Sequence, residues 1–326
     1  MTTTRVLTGD RPTGPLHLGH YFGSLQNRVR LAGDGADVFV LVADYQVLTD
    51  RDTAERLDEY VIGMVLDYLA IGIDPERATI FAHSAVPALN QLLLPFLSLV
   101  SVPELNRNPT VKDEIAHSRQ SSVSGLMFSY PAHQAADILF CKATLVPVGK
   151  DQLPHLEVTR LIARRFNERY GRTFPEPEAM LSRAPLLLGT DGTKMSKSRG
   201  NTVPLSATAD ETARLIRGAQ TDSERHISYD PVRRPAVSSL VLLAALCLDR
   251  DPQEVAADIG GGGAAALKNV VTTAVNDLLA PVRARRAEYA RDLGYVRQVL
   301  RDGNERANEI ASVTLAEVRT AMGMGY

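Results

Sequence analysis

Short runs rich in Val, Leu, Ile and Phe alternate with helix-length stretches through the first half of the chain, and that alternation leaves few folds open. RVLTG (5–9) reads as a short buried strand, with a helix starting near His17. ADVFVLVAD (36–44) is an apolar, β-rich run suited to a strand buried on both faces. Asp52-x-x-Glu55 resembles a capping box. The helix it would open carries Val61, Met64, Val65, Tyr68 and Leu69 at helical spacing and stops near Gly72 and Pro75. ATIFAHS (78–84) is a third strand. ATLVPVG (143–149) is a further one, followed by the helix DQLPHLEVTRLIARRFNERYG. A β-α-β-α-β order predicts an α/β fold with a parallel, Rossmann-type sheet and right-handed crossovers. Ligands of such sheets sit beyond the carboxyl ends of the strands, where Gly9, Asp44 and Gly149 fall.

After about residue 205 the strand pattern stops and long helical stretches follow, with IGGGGAAA as a flexible join. The expected organisation is a Rossmann-type domain over 1–204 and a helical domain over 205–326. Between 104 and 125 the chain is polar with weak periodicity, which predicts a mobile loop or poorly ordered helix.

Composition narrows the class. Of 326 residues, 44% are hydrophobic and 23% charged, as in a soluble globular protein. MTTTRVLTGD lacks the apolar run of a signal peptide. The uncharged stretch 84–103 contains Asn90, Gln91, Pro87 and Pro95, so it predicts a buried or subunit-contacting helix rather than a membrane span. Cys141 and Cys247 have no CxxC spacing, so there is neither a zinc signature nor a disulfide framework. The expected location is cytoplasmic. A net charge of −2 argues against sequence-blind nucleic-acid binding and leaves room for a local basic face.

Two motifs carry chemistry. PTGPLHLGH (12–20) places His17 and His20 three apart, with Gly19 between them, at a helix start. GTDGTKMSKSRGN (189–201) places Lys194 and Lys197 on either side of Met195 and Ser196, with Ser198 beyond and Gly189, Gly192 and Gly200 nearby. Either alone reads as a solvated turn. Together, and in this order on an α/β chain, they resemble the HIGH and KMSKS signatures of class I aminoacyl-tRNA synthetases. GDRPTGPLHLGHYFGSL, YPAHQAADILF, VPVGKDQLPHLEVTRLIARRFNERYG, QTDSERHISYD and LAEVRTAMGMG are similar, in order, to the tryptophanyl-tRNA synthetase family. The resemblance runs from about residue 5 to the C-terminus.

That resemblance implies an enzyme that joins L-tryptophan to ATP, releases pyrophosphate and transfers the aminoacyl group to tRNA(Trp). Such a transfer needs positioning and charge stabilisation more than covalent help. A helix N-terminus offers N–H donors and positive dipole to a phosphate. His17 and His20 would add donors there, and Gly19 would let adenosine lie close against the backbone. Lys194 and Lys197 would bring mobile charge to the pyrophosphate. Ser196 and Ser198 would add hydrogen bonds. Mg²⁺ is implied by ATP, and no metal-ligand set is expected in the protein itself. By resemblance, Gly9, Arg11, Pro12, Thr13, Gly19 and His20 line one wall of the ATP site. Gly149, Lys150, Asp151 and Gln152 line another, and Leu186 and Leu187 approach adenine, with Met195 in the lysine loop. Asp137 would accept the indole N–H, the one polar group of that ring. Tyr130 and Gln134 share its helix face, Gln46 and Gln152 reach the amino acid, and Val146 and Val148 wall the ring.

The chain departs from common bacterial members of that family. It has Gln46 for His, Gln134 for Met, Lys150 for Glu and His20 often for Asn. Tyr130, Gln134 and Asp137 echo the tyrosyl pattern, so a tyrosyl-tRNA synthetase is the alternative, beside a non-catalytic synthetase-like regulator. The same changes suggest an auxiliary enzyme resistant to tryptophan-mimicking inhibitors. Arg283, Arg285, Arg286, Arg291, Arg297 and Arg301 are expected to form a tRNA-facing helix surface. Asp222 and Ser223 would bridge the domains, and a homodimer is expected with the helix around 87–103 near its interface.

Overall fold

The computed structural model describes residues 4–49, 56–109, 112, 124–149, 152–181 and 187–326. Five parallel strands form one sheet in the order β3-β2-β1-β4-β5. They are β1 (Arg5–Asp10), β2 (Asp37–Val42), β3 (Ala78–Ala82), β4 (Leu145–Val148) and β5 (Glu178–Leu181). β1 pairs with β2 over its whole length, from Arg5 opposite Asp37 to Asp10 opposite Val42. The strand order reverses direction between β1 and β4, which opens a crevice at their carboxyl ends. β5 is an edge strand that the apolar pattern did not announce: Glu178–Leu181 is short and only half-buried.

Helices connect the strands. α1 (Leu18–His20) runs through a π turn at Tyr21–Leu25 into α2 (Gln26–Gly33). α3 (Leu57–Ile71) ends at Gly72, whose φ of 101° supplies the left-handed cap that a side chain would resist. Residues 84–103 are not one helix. They break into α4 (Pro87–Gln91) and α5 (Leu93–Leu97), and α6 (Val102–Arg107) starts on a Ser101–Glu104 capping box. Within the expected mobile stretch, residues 110, 111 and 113–123 lie outside the described residues, as does the box at Asp52 and Glu55. α7 (Gly125–Leu139) and α8 (Leu153–Tyr170) complete the sheet cover. α9 (Ala209–Arg217), α10 (Pro235–Leu248), α11 (Pro252–Ile259), α12 (Gly263–Tyr289) and α13 (Leu293–Ala321) follow, with no strand among them. IGGGGAAA is no loose join: Gly260–Gly262 make a 3₁₀ turn that leads straight into α12.

The sheet buries both faces, as its uninterrupted apolar strands require. Val6, Val38, Val40 and Ile80 face one cluster, continuous with Val241, Val275 and Val296 of the later helices. Leu7, Phe39, Leu41 and Phe81 face the other, shared with Phe140, Phe166 and Ala311. α13 passes the exposed edge of β3. There Asn304 accepts from the Ala82 N–H at 2.9 Å, which satisfies a donor that an edge strand leaves open. Among the described residues no helix is long and apolar enough to cross a membrane.

Candidate active site

The carboxyl end of β1 carries Gly9 and Asp10, and that of β4 carries Val148 and Gly149; both open into one cleft of about 750 Å³. Gly9 is there because the strands pack tightly: a Cβ would meet the Leu41 carbonyl at 2.5 Å. Thr13, His17 and His20 form one wall, and Met195, Ser196 and Lys197 close over it. Gln46, Gln134, Asp137, Val146, Val148 and Gln152 line the other end. Most of the expected residues thus gather in one place from widely separated stretches.

The two histidines are held by the backbone. His17 Nδ1 accepts from the Gly19 N–H at 3.2 Å, and His20 Nδ1 accepts from the His17 N–H at 3.2 Å. Each ring therefore carries its proton on Nε2, leaving that N–H as its available donor. Burial, reinforced by His20 and Lys197, pushes His17 down to about 3. Burial likewise pushes His20 down to about 4, although Asp10 opposes this. Both are neutral donors at pH 7, not cations.

The helix start itself offers less than the sequence implies. Leu18 N–H donates to the Val203 carbonyl, Gly19 N–H to His17, and His20 N–H to the His17 carbonyl. The first amides are spent within the protein, so the donors on this wall are side chains. Gly19 is not an open floor either. A Cβ there would meet the His17 ring at 3.0 Å and Met195 Sδ at 3.3 Å, so the missing side chain makes room for those two.

Lys197 and Lys194 part company. Lys197 lies in the cleft and donates from Nζ to the carbonyls of Gly14 (2.9 Å) and Arg11 (3.3 Å). Burial lowers its pKa, and the charges of Asp10 and Asp67 offset part of that. Lys194 is exposed and does not line the cleft. The lysine loop is shaped by Asn201, which bonds Asp191 and the Lys194 carbonyl and stands so close to Gly189 that no side chain fits there.

Other expected residues fall elsewhere. Tyr130 is buried, does not line the cleft, and bonds His155 Nε2 through its hydroxyl at 2.7 Å. Pro12 is buried behind the wall. Leu187 belongs to the core. Lys150, Asp151 and Leu186 lie outside the described residues, as does the Ser198 side chain. Arg11 lines the cleft, where its Nε donates to Gln46 Oε1 at 2.8 Å.

Asp10, Arg28, His83 and His133 escaped the sequence. Asp10 lies at the cleft floor with the buried Arg28 and the Tyr68 hydroxyl, which donates to Asp10 Oδ2 at 2.7 Å. Burial opposes ionisation, yet Arg28 holds this carboxyl well below the usual range. Its place just after Gly9 was the available signal; nothing in the spacing points to Arg28. Beneath Asp137 stand His83 and His133, from two different elements, with one ligand-type atom of each of the three within 4.8 Å of the others. His133 and Asp137 stand four apart on α7, but sequence spacing cannot bring in His83. His83 Nε2 is engaged by Asp137 at 2.7 Å and His133 Nε2 by Asn90 at 2.8 Å.

The arginines expected on a tRNA-facing surface mostly tie the chain to itself. Arg283 donates to the Ala207 carbonyl and Thr212, and Arg285 to the Ala70 carbonyl. Arg286 pairs with the buried Asp67 at 2.7 Å, Arg297 with Asp58, and Arg301 bonds Gln298. Arg291 is exposed in the turn between α12 and α13. Asp222 likewise pairs locally with Arg234, at 2.6 and 2.7 Å, rather than bridging domains.

A parallel sheet with its cleft at the switch point, an imidazole pair on one wall and a lysine loop on the other defines a nucleotide-binding core of the class I aminoacyl-tRNA synthetase kind. The family description tRNA synthetases class I (W and Y) matches residues 1–280, and the chain belongs to that family. It is 43% identical over 340 residues to a tryptophan–tRNA ligase of Streptococcus pyogenes serotype M1, covering 100% of both chains. It is 41% identical to a tryptophan–tRNA ligase of Clostridium longisporum, covering 98% of this chain and 97% of that one. The crystal structure of the Campylobacter jejuni tryptophanyl-tRNA synthetase complexed with ADP and tryptophan superposes with a TM-score of 0.85 at 29% identity, covering 98% of this chain and 100% of that one.

Proposed function

We propose that this chain is a tryptophan–tRNA ligase whose cleft holds ATP between the histidine wall and the Lys197 loop, with tryptophan at the Asp137 end. The observation that carries the reading is that one cleft presents uncharged donors and a lysine at one end, and a buried carboxylate between valines at the other. A carboxylate oxygen of tryptophan attacks the α-phosphorus, the bond to the β-phosphate breaks, and pyrophosphate leaves. A ribose hydroxyl of tRNA(Trp) then attacks the adenylate carbonyl and AMP leaves. The Nε2–H groups of His17 and His20 donate to phosphate oxygens without adding charge, and Lys197 supplies the charge for the departing pyrophosphate.

Mg²⁺ enters as the counter-ion of ATP. The two carboxylates among the described lining residues are Asp10, engaged by Arg28 and Tyr68, and Asp137, bonded to His83. Engaged in this way, they do not fit a protein-held metal. At the amino-acid end, Asp137 accepts the indole N–H and Gln134 and Gln152 address the amino acid. Residues 205–326 meet the anticodon end of the tRNA, with Arg291 as the exposed cation nearest the helix turn. The exposed Leu94 and Val102 support a homodimer through the 87–103 region. We place the enzyme in the cytoplasm on the same reading.

Amino-acid-dependent ATP–pyrophosphate exchange with tryptophan, tyrosine and phenylalanine tests this. Exchange with tryptophan alone is expected; exchange with tyrosine would overturn the assignment. The tyrosyl alternative is not favoured, because the Tyr130 hydroxyl is spent on His155 and the full-length relatives are tryptophan–tRNA ligases. The Arg11–Gln46 bond supports the auxiliary, inhibitor-resistant form, since it sets a polar pair into the cleft. Gln46→His is expected to raise sensitivity to an indole-based tryptophan analogue; unchanged inhibition would remove that part of the proposal.

A further inference from the structure

Asp137 is 1% exposed on α7 and lines the cleft. Its Oδ1 is bonded to His83 Nε2 at 2.7 Å, and Oδ2 takes no hydrogen bond from a described residue. A carboxylate only accepts, so His83 donates to it from Nε2. The His83 Nδ1 is buried without a hydrogen-bond partner, 4.0 Å from Asp44 Oδ1. A fully buried ring thus keeps one nitrogen unsatisfied to hold the other on Asp137. Such an arrangement costs free energy and calls for a reason.

The ring has little freedom to do otherwise. His83 follows β3 directly, and its carbonyl accepts from Asn90 Nδ2 at 2.7 Å. Its imidazole stacks on Tyr45, at 6.2 Å and 16°, and packs at a tilt of 37° against His133, at 4.6 Å, with the Tyr45 and His133 rings 6.4 Å apart. Asn90 Oδ1 also holds His133 Nε2, so one amide clamps both histidines.

Resting on the reading of Asp137 as the side-chain acceptor, we infer that His83 is a specificity-determining positioning residue. By occupying Oδ1 it fixes the carboxylate plane and leaves Oδ2 as the acceptor for an N–H on a fused aromatic ring. Recognition then rests on one directed hydrogen bond, and a ring of the same shape lacking that N–H leaves a buried oxygen unpaired.

The test is pyrophosphate exchange by the full-length enzyme with tryptophan and with its benzothiophene isostere, which has sulfur in place of N–H. The wild type is expected to prefer tryptophan in kcat/KM by about a hundredfold. His83→Gln keeps an N–H at the Nε2 position and should retain most of that preference. His83→Leu and His83→Asn, the second too short to reach Oδ1, should lose about tenfold or more of it through the KM for tryptophan. The KM for ATP should stay within about twofold, because the ATP end is untouched. If His83→Leu does not fold, the comparison of Gln with Asn decides. Preference lost in Asp137→Asn but kept in His83→Asn would sink the His83 role alone. Preference absent from the wild type, or kept in Asp137→Asn, would sink the Asp137 reading and this inference with it.

Discussion

Lys197 donates from Nζ to the carbonyl oxygen of Gly14 at 2.9 Å, so the lysine loop is fastened to the opposite wall by the group that faces the cleft. One side chain thereby closes the loop and supplies positive charge.

Lys197→Ala should reduce tryptophan-dependent exchange by about a hundredfold or more, as expected when a preorganised donor to developing charge is removed. Lys194→Ala should cost much less, because Lys194 is exposed and off the cleft. Steady-state kinetics of the two variants check this, and equal losses would refute the distinction.

The histidine wall should make stability pH-dependent. His17 and His20 are pushed down to about 3 and about 4 from an ordinary value of 6.5, so the unfolded chain binds protons that the folded one refuses. Their contribution is fully present above pH 6.5 and is lost as pH falls towards 4. Asp10 stabilises the fold equally across that window and adds no slope, since its lowered carboxyl is ionised in both states above its ordinary 3.8. Urea unfolding at pH 7.5, 6.5 and 5.5 should show wild-type stability declining and His20→Asn declining less steeply; parallel declines would contradict the assignment.

Arg286→Ala should destabilise the fold by about 3 kcal/mol at pH 8, because it leaves Asp67 buried without its partner. Burial already raises the Asp67 pKa, so protonation relieves part of the cost in acid. The loss, read from denaturant midpoints, should shrink at pH 5; a loss that does not shrink would argue against the ion pair.

Gly303→Ala should cost about 3 kcal/mol or more. A Cβ at Gly303 would collide with the Ile80 carbonyl, where α13 crosses β3 backbone against backbone. Thermal melts of this variant and of Gly33→Ala, at a glycine whose Cβ would meet nothing, should separate widely; similar Tm values would disprove the close crossing.

The order of strands and helices was legible from local pattern, because β1, β2 and β3 are apolar runs buried on both faces and α3 ends on a glycine. The cleft was legible too, since a parallel sheet places its ligand site at strand ends and Gly9 and Gly149 mark two of them. β5 and the breaks in 84–103 were not, because a short half-buried strand and a helix interrupted at Leu92 carry little periodic signal.

Local sequence therefore marked the residues proposed to carry the chemistry: the His17–His20 pair, the Lys197 loop and the Asp137 helix. Tertiary structure decided which of them meet. It put Lys197 in the cleft and Lys194 outside, spent the α1 amides and the Tyr130 hydroxyl on internal partners, and turned a basic helix surface into braces such as Arg286–Asp67. It also brought His83 beneath Asp137 across 54 residues of chain. A hydrogen-bond partner that far away leaves no mark on sequence spacing, and only packing decides whether a polar group faces a ligand or another part of the protein.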